Sequence, residues 1–150
     1  DEAGARVREM VGMAIGSPTW REALAAERRF AELPFAWPAT LASLPRESRE
    51  LLVAKLRRER RPVPGETDQI VVEGVADLVY VSGDALTVVD YKTDAWKTDE
   101  ELSKLVERYR PQLSTYRAAL TAVAGIREVR CALLLLGGPE PRVEGQEAEK

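Results

Sequence analysis

The sequence predicts an α/β domain, a small mixed sheet flanked by helices. Three observations carry this. Glu73–Thr93 reads as two strands joined by a tight turn. Val129–Leu136 is an unbroken apolar run, the pattern of a strand buried on both faces. Segments of helical spacing precede and separate these strands. The 150 residues fit one domain, 1–150, long enough for a real core.

Residues 2–15 place Val7, Met10, Val11 and Ala14 at helical spacing. Ser17-Pro18 marks a second start, Ser as N-cap and Pro at N1. That helix runs to about Arg28, with Trp20 assigned to the core. Phe30–Trp37 reads as a strand ending at Pro38, and Pro34 argues for an edge position. Glu32, Pro34 and Ala36 point one way along it, Ala31, Leu33 and Phe35 the other. On pattern alone Glu32 is a surface charge. Arg46–Arg61 follows as a helix with Leu51, Leu52, Lys55 and Leu56 in register. Lys55, Arg57, Arg58, Arg60 and Arg61 form a basic cluster before Pro62, which reads either as a solvated face or as a set of phosphate contacts. Pro62–Thr67 is a loop, and Asp68–Val72 begins the next strand, with Gly74 allowing a bend or a close approach.

The hairpin comes next. Residues 75–81 and 86–92 are its strands, and Gly83-Asp84 suits a type II′ turn. That turn sets Val79 against Val88 and Asp77 against Asp90, with Val75 opposite Lys92. Val88, Asp90 and Lys92 share a face. Thr98 and Glu101 form a capping box opening a helix through Leu102, Leu105, Val106 and Tyr109. Pro111 breaks or kinks it, with a continuation to about Val123. Gln112 and Tyr116 stand at i, i+4 one turn from Tyr109; pattern alone makes them a surface amide and a half-buried aromatic. Cys131, on the last strand, reads as an inert core thiol. Residues 139–150 read as a polar, disordered tail.

Composition narrows the chemistry. At 45% hydrophobic and 31% charged this is an ordinary globular composition, and a net charge of −3 gives no overall basic field. One Cys and no His exclude an intramolecular disulfide, a zinc cage built by the protein and a four-Cys iron–sulfur site. No apolar run approaches the ~20 residues that span a bilayer, so no membrane partner is expected and the reading is cytoplasmic. Two carboxylates opposed on one sheet face would stand about 5 Å apart and destabilise the hairpin unless a cation sat between them. The alternative is a solvated outer face, but Val75, Val79 and Val88 make the face largely apolar. A divalent metal with Lys92 beside it is the sharper reading.

These residues carry a resemblance. Asp77 followed by Asp90-Tyr91-Lys92 is similar to the Asp…(Asp/Glu)-x-Lys signature of the PD-(D/E)XK nucleases. Gly74-Val-Ala-Asp77, Asp90-Tyr-Lys-Thr-Asp94 and Gln112-Leu-Ser-Thr-Tyr116 resemble three successive motifs of the RecB/AddA-type nuclease domain found at the C-terminus of UvrD/Rep-like helicase-nucleases. The resemblance runs from about Ala31 to Leu136. It implies a restriction-endonuclease-like core and metal-dependent hydrolysis of DNA, single-stranded at the site, in double-strand-break repair. It implies Mg²⁺ or Mn²⁺ held by Asp77, Asp90 and the carbonyl of Tyr91, with Lys92 acting on the attacking water and Gln112 and Tyr116 positioning it. The stretch Glu32-Leu-Pro-Phe resembles the family's Glu-x-Pro-Phe strand, which brings Glu32 into the catalytic set. The expected partners are DNA, a helicase domain of the same polypeptide and a second subunit. The family usually adds a metal-binding His on an upstream helix; the chain has no His, which reads as a piece lacking that N-terminal helix or a member without the ligand. A stand-alone repair or restriction nuclease and a non-catalytic DNA-guiding scaffold are the alternatives. Lys92 is expected to add little to fold stability.

Overall fold

The computed structural model describes residues 1–146. Helices α1 (Glu2–Gly16) and α2 (Pro18–Ala25) lead into strand β1 (Arg28–Thr40). A 3₁₀ turn (Leu41–Ser43) and helix α3 (Arg46–Arg58) follow, then β2 (Gln69–Ser82), β3 (Ala85–Ala95), α4 (Asp99–Ala124), β4 (Glu128–Gly137) and β5 (Arg142–Gln146). The strands form one sheet in the order β1-β2-β3-β4-β5. Every neighbouring pair is antiparallel except β3 and β4, whose parallel pairing requires the α4 crossover. The fold is therefore mixed α/β, a five-stranded mixed sheet flanked by helices, consistent with a restriction-endonuclease-like core.

The sheet separates two apolar layers. On one face α3 and α4 close over Phe35, Trp37, Val79, Val88, Cys131 and Leu133 with Leu113, Tyr116 and Leu120. On the other, α1 and α2 cover Leu78, Tyr80, Val89, Leu134 and Leu136, and Trp20 packs there half-buried. β4 contributes to both layers, which is why its run is apolar without alternation. Cys131 is buried, its Sγ near the Leu113 carbonyl, and burial pushes its thiol up to about 11, so it is a core residue. Among the described residues no helix is long and apolar enough to cross a membrane.

Several elements differ from their sequence reading. β1 passes through Pro38 to Thr40 because it is the sheet's edge strand, where a missing N–H on the open side breaks no ladder bond. α3 stops at Arg58, three residues early, because Arg60 adopts φ 55° and turns the chain. α4 runs unbroken through Pro111. The Thr98 hydroxyl accepts the Glu101 N–H as a capping box requires, but the Glu101 carboxylate accepts from Lys97 N–H instead. The expected tail is in part a strand: β5 pairs residues 142–146 with β4, and 147–150 lie outside the described residues. Without β5 the apolar β4 would present an open edge.

Candidate active site

The Gly83-Asp84 turn forms as the sequence requires. Gly83 has φ 58°, Asp84 is not at positive φ, and Ser82 pairs with Ala85. The register also holds, with Val79 against Val88. The ladder, however, ends at Leu78–Val89, one step before the two aspartates. There β2 leaves β3 and continues with β1 alone, so Val75 pairs with Pro34 and not with Lys92. The Asp77 carboxylate takes over as the acceptor, receiving the Tyr91 N–H at 2.8 Å. The Tyr91 carbonyl points the same way as its N–H, into the space beyond the ladder's end.

The divergence has a second cause across the sheet. Glu32 falls opposite Asp77 in the β1–β2 register, between the pairs Ala31–Leu78 and Leu33–Ala76. Glu32 has φ 51°, strained for a non-glycine residue. Both strands switch faces there: Leu33, Phe35 and Ala76 face α4, and so does Val79. A β1–β2 arm is thereby bent off the main sheet. Gly74 lets it close: a Cβ there would lie 2.6 Å from Phe35 Cζ and 3.4 Å from the Tyr116 ring. Phe35 and Tyr116 meet edge to face with centroids 5.5 Å apart.

Asp90 sits at the floor of this opening, 2% exposed. Its Oδ1 faces Gln112 Nε2 at 3.4 Å. Its Oδ2 is buried and faces the Lys92 ammonium at 2.8 Å, which balances its charge. Burial raises the Asp90 carboxyl above the usual carboxylate range, Lys92 opposes that rise and the neighbouring Asp77 adds to it. Burial would lower the Lys92 ammonium, but the Asp90 carboxylate outweighs it and the net shift is upward. The Tyr91 phenol, on the opposite face, is pushed up to about 12 by burial and by Asp77.

Helix α4 supplies the wall. Gln112 Nε2 also donates to the Tyr116 hydroxyl at 2.8 Å, and that hydroxyl donates to the Val75 carbonyl at 3.1 Å. The chain Asp90–Gln112–Tyr116–Val75 thus clasps β3, α4 and the bent arm together. Pro111 serves the same wall: its carbonyl accepts from Ser48 of α3 and from Thr115, each at 2.9 Å.

Sequence reasoning left Tyr109 and Asp94 without roles. The Lys92 Nζ lies 4.6 Å from the Tyr109 ring centroid, and the Tyr109 hydroxyl donates to Asp94 Oδ2 at 2.7 Å. The signal was available: Tyr109 is three residues before Gln112, on the same helix face. The structure thus brings Asp77, Asp90, Tyr91, Lys92, Gln112 and Tyr116 together. Glu32 stands opposite Asp77 with an exposed side chain. Among the described residues no three His, Cys, Asp or Glu side chains cluster closely enough to hold a metal by themselves. Two carboxylates, one of them buried, and a backbone carbonyl do suit a hard cation that keeps some of its waters.

Comparison with known proteins identifies relatives of the chain. The chain is 36% identical over 73 residues to an ATP-dependent helicase/nuclease subunit of Lactococcus lactis, covering 49% of this chain and 6% of that protein. It is 35% identical over 80 residues to the protein of the same description in Streptococcus pyogenes serotype M5, covering 53% of this chain and 6% of that protein. The chain therefore spans a small part of the length of these relatives. The profile of the PD-(D/E)XK nuclease superfamily matches residues 5–150, and the chain belongs to that superfamily.

Proposed function

We propose that this domain hydrolyses DNA phosphodiester bonds with the help of Mg²⁺ or Mn²⁺, as the nuclease module of a helicase-nuclease that processes double-strand breaks. The observation that carries the reading is the buried Asp90 carboxylate, held beside Asp77 with its Oδ2 2.8 Å from the Lys92 ammonium. A domain selected only to fold, or only to guide DNA, gains nothing from such a group, since apolar residues replace buried ion pairs at no loss of stability.

Asp77, Asp90 and the Tyr91 carbonyl would hold the ion. When bound, a divalent metal lowers the pKa of a coordinated water and offsets phosphoryl charge. Lys92 leaves Asp90 for the attacking water or a phosphate oxygen, which it orients and opposes with its charge. Gln112 keeps Asp90 turned toward the opening, and Tyr116 fixes Gln112. With two side-chain ligands and no His in the chain, Mg²⁺ is held loosely, because it surrenders its waters reluctantly.

Calorimetry with Mn²⁺ and cleavage of a labelled single strand test this together. Wild type is expected to bind and to cleave slowly, and the Asp77→Ala, Asp90→Ala double variant to do neither while keeping its circular dichroism spectrum. Equal Mn²⁺ binding by the two proteins would remove the proposed site.

A further inference from the structure

The C-terminal end of α3 carries the chain's densest positive charge, about 15 Å along the helix from Ser48, which is bonded to the Pro111 carbonyl beside Gln112. Lys55, Arg57, Arg58, Arg60 and Arg61 stand there against one carboxylate, Glu59, in a chain whose net charge is −3. All five are exposed. Some cations elsewhere on the surface are neutralised: Arg6 by Glu9, Arg46 by Glu50, Lys104 by Glu100, Arg108 by Asp94, Arg110 by Glu107. At the end of α3 only Arg61 has a carboxylate, Glu59 at 3.6 Å, while Lys55, Arg57, Arg58 and Arg60 form no ion pair among the described residues.

The backbone there is also unusual. The Arg61 N–H bonds to the Leu56 carbonyl and the Arg60 N–H to the Arg57 carbonyl, the pairing of a Schellman motif. Such a motif places one residue in the left-handed region, normally glycine. Here it is Arg60, at φ 55°, one of two non-glycine residues at positive φ among those described. An arginine strained in a glycine position adds a cation where the fold alone would favour none.

We infer that this end of α3 is a second DNA contact, a backbone-phosphate clamp for the single strand that enters the site. The inference rests on the nuclease reading for the identity of the ligand. Arginine side chains suit phosphate oxygens through paired N–H donors, and free cations release counterions when a polyanion binds. The strand runs from the opening at Asp90 and Gln112 along α3 to Arg57, Arg58 and Arg60.

The test is fluorescence anisotropy of a labelled oligothymidylate of about 20 nucleotides, longer than the ~4–16 such surfaces cover, in EDTA across a salt series. The variant Arg57→Ala, Arg58→Ala, Arg60→Gly is expected to bind about tenfold more weakly at low salt. Its slope of log affinity against log salt should be shallower by about 2, the ~0.7 per phosphate of single strands taken three times. Arg60→Gly alone should raise the urea midpoint while weakening binding, opposite signs that a purely structural residue does not give. Arg57→Lys, Arg58→Lys should restore most of the slope. An unchanged slope in the triple variant, or no measurable binding by wild type, overturns the clamp. An equal loss of binding to vesicles containing phosphatidylserine also overturns it, as a general anionic surface site. Because no metal is present, a failure of the cleavage reading appears separately: the Asp77→Ala, Asp90→Ala variant would still cleave while the salt slope still fell.

Discussion

At the scale of single residues, Lys92 has two partners and two duties. Its ammonium balances a carboxylate that is 2% exposed and rests against the Tyr109 ring. The sequence suggests that Lys92 adds little to stability; the structure argues otherwise, since removing one partner of a buried pair leaves the other without compensation. Lys92→Ala is expected to lower stability by about 1–3 kcal/mol in urea unfolding and to reduce DNA cleavage at least a hundredfold. Adding Asp90→Asn should recover much of the lost stability and none of the cleavage. Additivity of the two changes to within about 0.5 kcal/mol would mean that the pair is not coupled. The ring contact separates the positioning role from the pair. Tyr109→Phe keeps the ring and gives up the bond to Asp94, and should cleave within about threefold of wild type. Tyr109→Leu removes the cation–π contact and should lose about tenfold more.

At the scale of elements, the bent β1–β2 arm creates the opening. A straight β2 would have continued its ladder past Asp77 and buried both aspartates between paired strands. The bend sits at Glu32 and Asp77, where both strands change face, and its visible strain is the Glu32 φ of 51°. Glycine is comfortable there, so Glu32→Gly is expected to stabilise the fold by about 1 kcal/mol in urea unfolding. Strain of this kind persists where function holds it in place. The same variant should therefore cleave at least tenfold more slowly, read by single-strand cleavage under Mn²⁺. Full activity in a more stable Glu32→Gly protein would make Glu32 a backbone feature and remove it from the catalytic set.

At the scale of the molecule, the sheet has one long apolar strand, and its neighbours decide whether that strand stays hidden. β4 is covered on both faces and flanked by β3 and β5. β5 brings Arg142 and Glu144 to the edge, the charged kind of border that resists pairing with other chains. Deleting residues 141–150 should therefore leave Leu133–Leu135 at an open edge. Light scattering after size exclusion is expected to show self-association of the shortened chain at concentrations where the full chain is monodisperse. A monodisperse shortened protein with an unchanged melting temperature would show that β5 protects nothing.

The sequence by itself determined the class of fold, the hairpin with its turn and the register next to that turn, and the buried strand behind it, and it nominated the residues of the candidate site. These are local signals: alternation in residues 75–92, a Gly-Asp turn with one sign of φ to satisfy, helical spacing from Thr98, and an apolar run at 129–136. Asp77, Asp90 and Lys92 were legible from strand alternation, whereas Gln112 and Tyr116 entered through the family resemblance, since their spacing alone made them a surface amide and a half-buried aromatic. Tertiary structure decided the rest. The end of the ladder at Leu78, the face switch at Glu32 and Asp77, and the loss of the expected Val75–Lys92 pairing depend on an arm that Phe35 and Tyr116 hold in place from distant parts of the chain. Tyr109 gained its role from a cation–π contact across elements; its spacing from Gln112 marked the helix face but not the Lys92 partner. β5 is polar and short, and becomes a strand because β4 offers an edge that needs a partner. Local propensity fixes which residues can face one another; only packing fixes where two paired strands part and leave a carboxylate buried at the opening.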